Sequence, residues 1–215
     1  MKIFISYLAT EKALAGGVKN ELDDNGFDTF LAHEDIQPTK VWMDSIYLHL
    51  KETDIILTLL TKGFSGSVWC NQEVGIGLAL DKLIIPIKID QDPDGFLSKY
   101  QALKFTRDTS FPTAKMFAII AAHEEYGASF RDFLIQVLAD SQSFLAAERN
   151  AKKLIEIKDF TIEQLERIME VSINNNQIYY GFSAKKILFP YMYHYRSKLD
   201  TTLYQKFYDK LRGKS

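Results

Sequence analysis

One cysteine stands in 215 residues, so Cys70 has no internal disulfide partner and a reducing compartment fits the chain. Four histidines, His33, His49, His123 and His194, fall too far apart for a metal-binding spacing such as CxxC or HExxH, so no metal is expected. No run reaches the roughly 18 consecutive apolar residues that a membrane span needs. The opening MKIFISYLATEK is too short an apolar stretch for a secretory signal. A cytoplasmic protein without a membrane anchor is the expectation. Neither sign of charge dominates, the formal net charge being -2. Residues 1–128 hold 12 Lys/Arg against 18 Asp/Glu, however, and residues 129–215 hold 14 against 10. The asymmetry points to two modules, and the second one's excess is too thin for a nucleic-acid footprint.

What is present is enough apolar residue, 47% of the chain, to fill one core and a second, smaller one. Lys2–Tyr7, Asp28–Phe30, Asp54–Leu60 and Leu83–Ile89 are short, apolar and rich in β-branched or aromatic residues, and read as strands buried on both faces. Helical patterns lie between them at Glu11–Asn25, Val41–Lys51 and Ser67–Asp81. This βαβαβαβ order predicts an α/β domain with a parallel sheet covered by helices on both sides. A weaker strand near Ala102–Thr106 closes the edge, Asp90–Lys99 is a loop, and Phe111–Glu124 is a further helix.

From Ser129 the period is helical only, with Phe130, Phe133, Leu134, Val137, Leu138 and Leu145 on one stripe. Thr161 and Gln164 stand at capping-box spacing, and that helix is expected to run to Asn174-Asn175-Asn176. Ser183 and Asp200 are expected caps, and Pro190 is expected to kink or break its helix. The division is therefore 1–125 for the α/β domain and 129–215 for the helical module.

Phe4-Ile-Ser-Tyr7 ends the first strand, Glu34-Asp35-Ile36 with Pro38, Trp42 and Ile46 follows about thirty residues later, and Ser67-Val-Trp69-Cys-Asn-Gln-Glu73 comes third. In this order the three elements resemble the sequence boxes of a TIR (Toll/interleukin-1 receptor) domain, and the third resembles the Ser-x-Trp-Cys-x-x-Glu signature of its NAD-cleaving members. The resemblance covers about residues 1 to 125 and implies a flavodoxin-like doubly wound parallel sheet. Two departures stand out. Thr39 replaces the glycine that commonly follows the proline, and Leu8-Ala9-Thr10 stands where relatives carry Arg-Asp.

The resemblance implies an enzyme that cuts the bond between nicotinamide and ribose, with Glu73 catalytic and NAD+ as substrate, no bound cofactor being needed. The leaving group is already cationic and departs neutral, so one ionised carboxylate beside the oxocarbenium-like transition state suffices where ordinary glycosidases use two. Trp69 and Glu73 are i, i+4 neighbours on one helix face and should reach the same cleft. That cleft is expected at the carboxyl ends of the strands, which makes Ser6, Tyr7 and Trp42 further candidates for substrate binding.

Plainer readings compete. A Trp four residues before a Glu is ordinarily packing plus a solvated charge. Cys70 is read as a small buried hydrophobe, and Gly75-Ile76-Gly77 as close helix–sheet packing in place of a dinucleotide fingerprint. Trp42 either covers ligand or packs beneath the Leu31–Val41 loop, His33, Glu34 and Asp35 are loop surface, and His49 and His123 have no evident partner. The expected function is an NAD+ glycohydrolase or ADP-ribosyl cyclase in immune or antiphage signalling. Self-association and a separate effector that senses the product are the expected partners. The alternatives are a non-catalytic TIR adaptor and, more remotely, a nucleoside deoxyribosyltransferase-like enzyme.

Overall fold

A computed structural model describes residues 1–32 and 42–213. Among the described residues a five-stranded sheet is built from β1 (Lys2–Ser6), β2 (Asp28–Leu31), β3 (Ile55–Leu60), β4 (Leu83–Lys88) and the short β5 (Leu103–Lys104). Between them lie α1 (Lys12–Asp23), α2 (Trp42–Glu52) and α3 (Val68–Ala79). Every neighbouring pair is parallel and the order is β2-β1-β3-β4-β5, the doubly wound arrangement expected from the alternating pattern. β3 is buried at all its positions, which is why its sequence is apolar except at Thr58.

Alternation along the strands sorts the core. Phe4, Ile56 and Ile84 meet Ile46 and Leu50 of α2 and Cys70 and Val74 of α3. α1 packs along β2 and buries Ala15, Val18 and Leu22. α3 approaches the sheet closely at Gly77, where an added Cβ would fall 2.2 Å from Cδ1 of Ile56. Gly75 has open space around it, so the second glycine carries the packing expected of the pair.

After α4 (Thr113–Ala122) come α5 (Gly127–Ala139), α6 (Phe144–Ile155), α7 (Ile162–Asn174), α8 (Asn176–Tyr179), α9 (Phe182–Tyr195) and α10 (Thr201–Leu211). The chain divides into two compact units, Met1–Met116 and Phe117–Ser215, and the division falls inside α4. The second unit has its own core, with Leu138, Leu154, Ile168, Leu188 and Phe207 at its centre. The Thr161–Gln164 capping box opens α7, and Asp200 caps α10, both as expected.

Three local expectations differ from the structure. Ser143 caps a new helix, so the stripe from Phe130 ends with α5 and Leu145 stands 75% exposed at the start of α6. Gly181 takes the capping position of α9, leaving Ser183 inside the first turn. α9 also runs through Pro190 without a break, because Ala184, Leu188 and Met192 bury one side of it and hold the helix where the backbone bond is lost. Among the described residues no helix is long and apolar enough to cross a membrane.

Candidate functional site

The site is organised by the first turn of α3. Ser67 caps the helix, its Oγ accepting the Cys70 amide at 3.3 Å. Asn71 Nδ2 donates to the carbonyls of Ser65 and Ser67 at 2.8 and 2.9 Å, locking the preceding loop against the helix. The helix buries Cys70, Glu73, Val74 and Gly77, an i, i+3, i+4, i+7 stripe in which Glu73 occupies a position ordinarily held by an apolar side chain.

Glu73 is only 2% exposed. Ser6, wholly buried at the end of β1, donates its hydroxyl to Glu73 Oε2 at 2.5 Å. Oε1 is buried and has no hydrogen-bond partner among the described residues. Burial pushes the carboxyl pKa up to about 7, and the Ser6 hydrogen bond opposes that rise only in part. An acid with a midpoint at neutral pH, half of whose hydrogen-bonding capacity is unused, is a group whose ionisation a ligand can readily change.

One wall of a cleft of about 240 Å³ is formed by Trp69, Gln72, Glu73 and Ile76 of α3, and the other by Met43, Asp44, Ile46 and Tyr47 of α2. Trp69 is 41% exposed, so it presents accessible aromatic surface to a flat apolar group. Asp44 is the second carboxylate of the lining and is exposed. The arrangement suits a ligand that is aromatic and positively charged. A second cleft of about 290 Å³ lies beside β2, where Lys2 and Glu52 are paired with each other at 2.9 Å.

The structure thus brings Trp69 and Glu73 to one cleft and ties Ser6 to Glu73. Tyr7 is buried next to Ser6 and is not in the lining. Trp42 opens α2, but its side chain lies outside the described residues, as do His33, Glu34, Asp35 and the rest of the 33–41 stretch. Cys70 is buried in the core and burial pushes its thiol pKa up, in keeping with a packing role. His49, for which the sequence offered no partner, stacks on Phe30 with ring centroids 3.6 Å apart, and His123 Nδ1 accepts the backbone amides of Glu125 and Tyr126. Met43, Asp44 and Tyr47 were not singled out from the sequence. Their signal is an i, i+4 pair of apolar residues, Met43 and Tyr47, each left about half exposed at the edge of an amphipathic helix.

The TIR domain family model matches residues 3–120 of the chain, and no curated protein matches it. Among solved structures, the TIR domain of the Toll-related receptor TRR-2 from Hydra magnipapillata is 18% identical with a TM-score of 0.43, covering 48% of this chain and 82% of that one. The TIR domains of the activated Roq1 resistosome, described as directly recognizing the pathogen effector XopQ, are 14% identical with a TM-score of 0.39, over 90% of this chain and 98% of that one.

Proposed function

The chain belongs to the TIR domain family, whose model spans more than half of its length, and we propose that it is an NAD+ glycohydrolase or ADP-ribosyl cyclase with Glu73 as the catalytic carboxylate. The observation that carries this reading is the buried Glu73 carboxyl at the wall of the α2–α3 cleft, with Oε1 unpartnered among the described residues and an aromatic face one helical turn away.

The bond that breaks is the one between ribose C1′ and the pyridinium nitrogen. Its electron pair goes to the nitrogen, so nicotinamide leaves neutral and the positive charge passes to the ribosyl group. No proton donor is required at the leaving group. Glu73, ionised, stabilises the ribosyl charge from within a site of low polarity, where a fixed charge is most effective. The cationic substrate itself favours the ionised form, since a positive charge nearby lowers a carboxyl pKa. Trp69 offers a stacking surface for a ring, and Asp44 an acceptor for sugar hydroxyls. Capture of the ribosyl carbon by water gives ADP-ribose, with the water proton released. Capture by a nitrogen of the adenine gives a cyclic isomer, which fits a diffusible signal read by a separate effector in antiphage or immune signalling.

Self-association belongs to this reading and to a non-catalytic adaptor alike. It is favoured by the exposed Met43, Tyr47 and Leu48 of α2 and Val68 of α3. Nicotinamide release from NAD+ by the purified full chain, with mass spectrometry of the nucleotide product, tests the proposal. Release that is absent at every protein concentration sinks the catalytic reading and leaves the adaptor.

A further inference from the structure

We infer that Ser6 is a positioning residue for Glu73, its hydroxyl tying Oε2 to the end of β1 so that Oε1 is the oxygen left for the ligand. This rests on the reading of Glu73 as the catalytic carboxylate.

The geometry is specific. Ser6 and Glu73 are 67 residues apart in sequence, and their 2.5 Å contact joins the last residue of β1 to the buried stripe of α3. Thr58 is the register partner of Ser6 on β3 and is equally buried, yet its Oγ1 has no partner among the described residues. Of these two register-paired hydroxyls, the one on β1 takes the carboxylate. A glutamate has three side-chain torsions, and tying one oxygen removes most of that freedom. A hydroxyl that donates to the carboxylate also favours its charged form, the form the proposed reaction uses.

Among the described residues, few charges complicate the test. From α2, Asp44 and Tyr47 line the cleft, and His49 is stacked on Phe30. From α3 the neighbour is Cys70, and Tyr7 follows Ser6 in the chain. On the sheet face shared with Ile84, alternation places Lys88 of β4, which is ion-paired with Asp92. The hydrogen bond from Ser6 is the influence that lowers the Glu73 pKa against burial.

The experiment uses the full chain with ¹³C-labelled glutamate. Glu73 is titrated by carboxyl-carbon NMR, its signal assigned by loss in Glu73→Gln, and nicotinamide release from NAD+ is followed between about pH 5.5 and 9. In Ser6→Ala the Glu73 midpoint and the ascending limb of kcat/KM should both move up by about one unit. At pH 7 kcat/KM then falls about fivefold and recovers at high pH. At high pH, where Glu73 is ionised in both proteins, KM should change less than about twofold. Ser6→Thr, which keeps the hydroxyl, should restore both midpoints. An unshifted Glu73 midpoint in Ser6→Ala, or a loss of rate equal at every pH, overturns the inference. If Ser6→Ala does not fold, Ser6→Cys serves, with a weaker donor and a smaller upward shift expected, and an unshifted midpoint there overturns the inference equally. Failure of the underlying reading looks different: Glu73→Gln would keep wild-type nicotinamide release, while the NMR midpoint would still report on Ser6.

Discussion

Trp69 and Glu73 line the same cleft one helical turn apart, yet Trp69 is 41% exposed and Glu73 only 2%. The aromatic ring is accessible before anything binds, whereas the carboxylate lies below it. A ligand that stacks on Trp69 approaches Glu73 from the apolar side, where loss of water strengthens the attraction between opposite charges.

Glu73→Gln should lower nicotinamide release about a hundred- to a thousandfold, the loss typical of one well-placed electrostatic group. The amide keeps the size of the side chain and can still accept the Ser6 hydroxyl. Circular dichroism should be unchanged, and rates measured on the wild type and the variant at equal concentration decide the matter.

Stability should carry the opposite sign. The Glu73 pKa rises from 4.5 to about 7 on folding, so the folded state holds the proton more tightly than the unfolded chain. The stabilisation from this group is full below about pH 4.5 and is lost as pH rises through about 7, a change on the order of 3 kcal/mol. Urea unfolding at about pH 5 and pH 8 should show the wild type losing stability between them, and Glu73→Gln losing distinctly less.

Activity, by contrast, should rise with pH. If the ionised carboxylate is the working form, kcat/KM climbs through about 7 as free Glu73 loses its proton. Bound substrate is cationic, so the limb in kcat should lie lower than the limb in kcat/KM. A profile flat from about pH 6 to 8 argues that Glu73 does not titrate in the rate-determining form.

Trp69→Ala should raise KM for NAD+ more than it lowers kcat, because the ring offers binding surface and no charge to the transition state. Since 41% of the side chain is already exposed, the loss of stability should stay below the roughly 3–5 kcal/mol of a fully buried aromatic. Trp69→Phe, which keeps a stacking face, should recover most of the binding.

Specific activity should increase with protein concentration if assembly completes the site. Leu48→Lys and Val68→Lys place charges on the exposed apolar edges of α2 and α3, and should weaken self-association while leaving the sheet core untouched. Light scattering and rate are measured together. Loss of oligomer with full retention of activity would separate assembly from catalysis.

Much of this molecule is written locally. β3 announces itself as a strand buried on both faces because five of its six residues are apolar and Thr58 is the one small polar exception, leaving no polar side for water. The start of α3 is legible from Ser67, and the start of α7 from Thr161 and Gln164, since a cap acts within one turn of itself. The i, i+4 spacing of Trp69 and Glu73 likewise needs nothing but helix geometry. Other features depend on groups brought together from distant parts of the chain. The position of Glu73 beneath the cleft, its partner Ser6 and the facing wall from α2 exist only after β1, α2 and α3 have packed. The continuity of α9 through Pro190 has the same origin, because burial of Ala184, Leu188 and Met192 outweighs one missing hydrogen bond. Leu145 is the converse case: the helical period suits a core position, but the Ser143 cap starts a new helix and turns the side chain to solvent. Spacing along the sequence determined which side chains share a face, whereas the desolvation that sets the charge of Glu73 depends on every element packed around it, and the tertiary structure alone decided that.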